Sequence, residues 1–110
     1  MTLWEYVDSL QNKTVAVLGI GVSNTPLVRL LLDSGIRVTA CDRRAREELG
    51  ALADELERAG CGLRLGPDYL KGLHEDVIFR TPGLRPDVPQ IAAAVADGSV
   101  LTSEMEAFFQ

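Results

Sequence analysis

The hydrophobic positions of the chain follow two alternating spacings. Short runs of β-branched and apolar residues are typical of strands buried on both faces. Three clear runs are Thr14–Leu18, Arg37–Cys41 and Asp76–Phe79, and two weaker ones are Gly62–Leu65 and Val100–Leu101. Apolar residues spaced three and four apart predict helices between these runs. They cover about residues 3–10, 27–32, 46–59 and 88–96, with one helical turn at 68–73 and the start of another helix at 104–110.

The alternation of strands and helices predicts the fold class. It indicates an α/β protein with a Rossmann-like, three-layer αβα architecture and a parallel sheet of about five strands. In such sheets, ligands bind beyond the carboxyl ends of the strands, near the point where the strand order reverses. We therefore expect three loops to converge there, namely residues 19–24, 42–44 and 80–85.

The first predicted helix has a recognisable start. Thr2 and Glu5 have the spacing of a capping box, in which each side chain bonds the backbone of the other residue. The apolar residues of this helix are expected to share one face and to pack on the domain: Leu3, Trp4, Val7 and Leu10.

Composition and charge narrow the function classes. A length of 110 residues predicts one domain, residues 1–110. The net charge of −5 argues against nucleic-acid binding, since phosphate backbones attract basic surfaces. No apolar run approaches the roughly 20 residues of a membrane span, and no secretory signal is visible.

Cys41 and Cys61 are expected to be buried thiols of a cytoplasmic protein. The lone His74 is expected to be a surface residue without a metal site.

A glycine-rich loop follows the first strand. Gly19 permits a tight turn, and Gly21 lets the backbone approach a phosphate. The free amides at the start of the next helix attract an anion, and Ser23 adds a hydroxyl donor. Asn24 stands where the dinucleotide fingerprint has its third glycine, which weakens the case for NAD more than the case for a phosphate. A plain strand-to-helix turn is the alternative.

An acidic residue and two arginines end the second strand. Asp42 lies 23 positions after Gly19, near the spacing of about 20 at which this fold places a ribose-binding carboxylate. Such a carboxylate accepts hydrogen bonds from a ribose hydroxyl or a base N–H. Arg43 and Arg44 follow, and an arginine fork binds phosphate. The alternative is a solvated turn before the next helix.

A third loop follows the fourth strand. Thr81, Pro82 and Gly83 form a turn that exposes backbone amides and a hydroxyl, with Arg80 and Arg85 on either side. Contact with a base or sugar and a purely structural turn are both open here. The chain shows no Ser/His/Asp or Cys/His set and no GxxxxGK[ST] loop, so we predict no catalytic residues.

Four segments in order resemble the amino-terminal domain of the Mur ligases, and among these the ligases that add D-glutamate. They are Val15–Asn24 (VAVLGIGVSN), Val38–Arg43 (VTACDR), Phe79–Leu84 (FRTPGL) and Leu101–Phe108 (LTSEMEAF). The resemblance implies that this domain binds the UDP part of UDP-N-acetylmuramoyl-L-alanine or another uridine nucleotide. Other domains of the ligase would bind ATP, Mg²⁺ and D-glutamate, and the substrate carboxylate would react as an acyl phosphate.

The glycine-loop motif and the resemblance together predict which residues contact UDP. They are Gly19, Gly21, Val22, Ser23, Asn24, Asp42, Arg43, Arg44, Thr81, Pro82 and Gly83. Thr81 replaces the usual Ser of the family and keeps its hydroxyl, whereas Arg80 is less usual. The ATP loop of the family is expected beyond Gln110, so we expect a domain fragment that binds UDP-type ligands without catalysing ligation.

Two other interpretations remain open from the sequence. One is an NAD(P)-binding Rossmann domain of an oxidoreductase or redox sensor, in which Asp42 would hold the adenosine ribose. The other is an interaction module with a vestigial nucleotide cleft. It would bind no nucleotide, and Asp42→Ala would have no effect on it.

Overall fold

A computed structural model of the protein describes residues 2–20, 24–80 and 88–102. The helices are α1 (Leu3–Ser9), α2 (Asn24–Asp33), α3 (Arg46–Leu49), α4 (Ala51–Arg58) and α5 (Pro89–Ala96). The strands are β1 (Thr14–Leu18), β2 (Arg37–Asp42), β3 (Gly62–Leu65), β4 (Val77–Phe79) and β5 (Val100–Thr102). All pairings are parallel, in the order β3-β2-β1-β4-β5. The predicted α/β fold with a five-stranded parallel sheet is confirmed.

The central strands are buried on both faces, as their continuous apolar runs predict. Val15 and Val17 of β1 point to one core layer, which also contains buried residues of α1, α2 and α4. Ala16 and Leu18 point to the opposite layer, which contains Ile91 of α5. This period of two places helices on both sides of the sheet.

Helix α1 is capped as predicted but packs differently. The Thr2 hydroxyl accepts a hydrogen bond from the Glu5 amide at 3.1 Å, and Glu5 accepts one from the Thr2 amide at 3.2 Å. Val7 is buried together with Leu10, whereas Trp4 is 62% exposed. The prediction for Trp4 is wrong because Tyr6, not Trp4, completes the inward face, with its ring edge-to-face with Phe79 at 6.4 Å. Trp4 falls more than a quarter turn away from that face.

The predicted helix over residues 46–59 is two helices. Gly50 ends α3 and begins α4 with φ of 59°, in the left-handed region that favours glycine and breaks a continuous helix. The predicted helical turn at 68–73 is a series of turns instead, closed by bonds such as Lys71 N–H to the Asp68 carbonyl at 2.9 Å. Within the described ranges, no helix is long and apolar enough to cross a membrane.

Candidate functional site

The carboxyl ends of three neighbouring strands meet at one edge of the sheet. Leu18 at the end of β1 is in register with Cys41 of β2, and Val17 with Phe79 at the end of β4. Loops 19–24, 42–44 and 80–85 therefore begin side by side, as predicted. The strand order reverses between β1 and β4, which is where doubly wound sheets bind ligands.

Gly19 turns the chain away from β1. Its φ of 93° lies in the left-handed region, so the prediction of a tight turn that requires glycine is confirmed. Its amide donates to the Cys41 carbonyl at 2.6 Å, so the turn begins against β2. Asn24 is the first residue of α2.

The Asp42 carboxylate joins the glycine loop to the end of β2. Its Oδ2 accepts hydrogen bonds from the Ile20 amide at 2.8 Å and from Arg44 Nη2 at 3.0 Å. Its Oδ1 accepts bonds from the Arg44 amide at 2.8 Å and from Arg44 Nε at 3.1 Å. Two carboxylate oxygens offer about four acceptor positions, and the chain itself occupies all of them.

Arg44 completes a closed set of contacts, which we call the loop clamp, formed by Ile20, Asp42 and Arg44. Its Nη2 also donates to the Ile20 carbonyl at 2.6 Å. Burial alone would raise the pKa of Asp42, but the hydrogen bonds from Arg44 and the Ile20 amide outweigh burial and lower the pKa. The hydrogen bond to Asp42 raises the pKa of Arg44. Both groups are charged at neutral pH, and a ligand that bonds the carboxylate must displace one of these donors.

Arg43, which lies between Asp42 and Arg44 in the sequence, takes no part in the loop clamp. Its side chain has no hydrogen bond or ion pair with the residues that the structure describes, and it is exposed. It lines an open cleft of about 520 Å³ with the segment 67–72 and Gln90 of α5. The sequence alone predicts the same phosphate-binding role for Arg43 and Arg44. In the structure Arg44 is bonded to Asp42 and Ile20, whereas Arg43 bonds none of the described residues and is available to contact a ligand.

A buried ion pair that sequence reasoning missed lies behind this edge. Arg64 of β3 bonds Glu75 through two parallel contacts of 3.0 and 3.3 Å, and Glu75 is 3% exposed. Burial would raise the pKa of Glu75, but Arg64 outweighs burial and lowers the pKa. Arg64 also approaches the Cys41 sulfur at 3.9 Å. The only signal in the sequence is an arginine in an otherwise apolar strand.

Both cysteines are buried, as predicted, and neither forms a disulfide. Burial raises the pKa of Cys41 to about 12 and also raises the pKa of Cys61. These thiols stay protonated at neutral pH and are poor nucleophiles. His74 is on the surface, as predicted, and the described residues contain no group of three or more metal-ligating side chains.

The remaining predicted contacts stay predictions. Gly21, Val22, Ser23, Thr81, Pro82 and Gly83 lie outside the described residues, as does the predicted helix 104–110. Of the predicted UDP contacts, Gly19, Asp42, Arg43, Arg44 and the backbone of Asn24 are described, and all five lie at the expected sheet edge.

The sequence matches a family model described as the N-terminal domain of MurD-like Mur ligases, over residues 13–103. It is 49% identical over 109 residues to the UDP-N-acetylmuramoylalanine–D-glutamate ligase of Ruminiclostridium cellulolyticum, covering 98% of this chain and 23% of that ligase. A ligase of the same name from Clostridium botulinum is 47% identical over 107 residues, with 96% and 23% covered. The chain spans about a quarter of the length of these relatives.

A solved structure is similar in fold. A shikimate 5-dehydrogenase from Mycobacterium fortuitum superposes with a TM-score of 0.52 at 18% identity, covering 91% of this chain and 50% of that one. At this identity the likeness concerns the Rossmann-like fold alone.

Proposed function

Because the chain belongs to the family of MurD-like Mur ligase N-terminal domains, we propose that it binds the UDP part of UDP-N-acetylmuramoyl-L-alanine. The observation that carries the proposal is the position of the glycine loop. The loop leaves β1 beside the reversal of strand order, and the Ile20 amide is fixed on Asp42 at 2.8 Å. Backbone that is held in place, as that of Ile20 is, loses less entropy when it binds a ligand.

We expect some of the described residues to contact the ligand and others to hold those residues in position. The backbone of the glycine loop and the start of α2 would face the diphosphate, because helix N-termini favour anions. The loop clamp would keep that backbone in place, while Arg43 supplies a free positive charge beside it. The proposed contacts of Ser23 and of Thr81–Gly83 rest on the family resemblance.

The reaction belongs to the proposed ligase as a whole. That ligase would join D-glutamate to the substrate through an acyl phosphate, with ATP and Mg²⁺ held by domains other than this one. The present residues supply substrate binding and orientation. We expect the 110-residue chain by itself to bind UDP weakly and to form no amide.

An NAD-binding role is the competing proposal. It needs the Asp42 carboxylate to accept bonds from a ribose, yet the four donors of the chain already occupy that carboxylate. Arg44 would have to move away first. A direct contact of Asp42 with UDP would meet the same obstacle. The occupation therefore favours a uridine ligand only where the loop backbone and Arg43, and not the Asp42 carboxylate, make the contacts.

A titration distinguishes the two ligands. Isotope-labelled protein is titrated with UDP, with UDP-N-acetylmuramoyl-L-alanine and with NADH, and the amide signals of Gly19, Ile20 and Asp42 are followed by NMR. We expect saturable shifts with both uridine ligands and weaker ones with NADH. Tighter binding of NADH, or no shift at these amides with UDP, would contradict the proposal.

A further inference from the structure

An open cleft adjoins the candidate site on the α5 side of the sheet. Its volume is about 520 Å³, and its walls are Arg43, Gln90 of α5 and the segment 67–72, which includes Tyr69 and Lys71. Of the predicted ligand contacts that the structure describes, Arg43 alone lines this cleft. The cleft is therefore a concavity distinct from the described part of the UDP site, with Arg43 shared between the two.

The wall formed by segment 67–72 is firmly attached to β2. The Gly66 amide, just before it, donates to the Asp42 carbonyl at 3.0 Å and to the Arg44 carbonyl at 3.2 Å. Leu70 anchors the segment from within by packing, buried, against the core layer that includes Ile91. The cleft is therefore built on the strand end that also carries Arg43, and its shape does not depend on an unsupported loop.

The cations of the cleft lack acidic partners. Arg29, Arg44, Arg46 and Arg64 each pair with a carboxylate. In contrast, neither Arg43 nor Lys71 forms an ion pair or side-chain hydrogen bond among the residues described. Among the described residues of the cleft wall, Asp68 is the one acidic residue, so this part of the lining carries a net charge of +1 (two cations minus one carboxylate). This local excess lies on a chain whose net charge is −5.

We propose that this cleft is a binding site for a phosphate-type anion, held between Arg43 and Lys71. The two side chains belong to different parts of the chain, Arg43 directly after β2 and Lys71 in the 67–72 segment, and both line the cleft, so an anion bound between them would neutralise both. The Tyr69 ring and the Gln90 amide line the same space and offer a hydroxyl and an amide to the anion oxygens. Asp68 disfavours a ligand that extends toward its side of the cleft.

The anion could come from two sources with the same chemistry. It is either the diphosphate of the uridine ligand, which rests on the proposed function, or a separate small phosphate compound. We use inorganic pyrophosphate as the probe and follow the amide signals of Asp68–Gly72 by NMR on the 110-residue chain. Pyrophosphate is expected to shift these signals in a saturable way.

Two variants and a matched control test the residues. Lys71→Gln and Arg43→Gln are each expected to weaken pyrophosphate binding roughly fivefold, the effect of losing one exposed ionic contact. Lys13→Gln removes the same charge from an exposed position at the opposite edge of the sheet and should leave binding unchanged. Circular dichroism confirms that the variants keep their fold.

Repeating the titration at saturating UDP identifies the source. If UDP itself shifts Asp68–Gly72 and pyrophosphate no longer does, the site holds the diphosphate of the nucleotide. If pyrophosphate still binds there, the site takes a second anion. Cleft shifts without any effect of UDP at Ile20 would uphold this site and refute the proposed function. Absence of shifts at Asp68–Gly72, or equal binding by Lys71→Gln and Lys13→Gln, would overturn the proposal.

Discussion

Replacing Asp42 by Asn tests the loop clamp, because the two side chains have nearly the same shape. The four groups among the described residues that hydrogen-bond the Asp42 carboxylate are donors, two on each oxygen. An amide has only one oxygen, so its NH₂ group must face two donors whichever way it is turned. The substitution therefore removes charge and places donors against donors without creating a cavity.

The cost follows from burial. The bond from the Ile20 amide is buried, and a hydrogen bond to a charged group contributes about 1.5–3 kcal/mol. The Arg44 guanidinium is half exposed, so its ion pair with Asp42 adds only about 0.2–1 kcal/mol. We expect Asp42→Asn to lower the free energy of unfolding by about 2–4 kcal/mol. For a domain of this size, that corresponds to a fall in Tm of roughly 10–20 °C.

Urea unfolding followed by circular dichroism measures this difference, with Arg43→Gln as the control. The Arg43→Gln substitution is expected to change the free energy of unfolding by less than about 0.5 kcal/mol. The folded pKa of Asp42 is lowered, so its stabilisation is present above the unfolded pKa of about 3.9 and is lost as pH falls through the folded value. The difference between wild type and Asp42→Asn should therefore shrink below about pH 4. Equal stability of the two proteins at pH 7 would refute the clamp.

Three further predictions concern the interior. Cys41 and Cys61 should react with Ellman's reagent only after unfolding, because burial raises the pKa of both thiols; rapid labelling of the folded protein would contradict this. Arg64→Gln removes the arginine partner of the buried Glu75, which keeps the exposed His74 ring at 3.5 Å, and should lower the free energy of unfolding in urea by about 3 kcal/mol. Arg29→Gln at an exposed pair should lower it by at most about 1 kcal/mol, and equal costs would count against the buried pair. The pKa of Glu75 is lowered, so the stabilisation by its carboxylate is present above the unfolded pKa of about 4.3 and is lost as pH falls through the folded value. Below about pH 4, the Tm of Glu75→Gln should therefore fall less steeply with pH than that of the wild type. Parallel curves of Tm against pH would contradict this role of Glu75.

Most of the fold could be predicted because it follows from local periodicity. The buried strands alternate their side chains between two core layers, as Val15 and Ala16 do, and their apolar runs record that burial. The errors are also local in origin. Gly50 reads as a tolerated glycine within an amphipathic helix, and its positive φ is not visible in the hydrophobic pattern. The spacing of Trp4 from Val7 and Leu10 predicts that it faces inward, whereas Tyr6 fills that position.

The amino-acid pattern alone was sufficient to predict the parallel sheet, the edge at which three loops meet and the residue types that gather there. It could not distinguish the role of Arg43 from that of Arg44, nor show that Asp42 is bonded within the chain, because these roles depend on partners distant in the chain. Ile20 is 22 residues from Asp42 and 24 from Arg44, and it bonds both through its backbone, which every residue type possesses. Folding brings these groups together, whereas the Arg43 side chain bonds none of the described residues and lines the cleft.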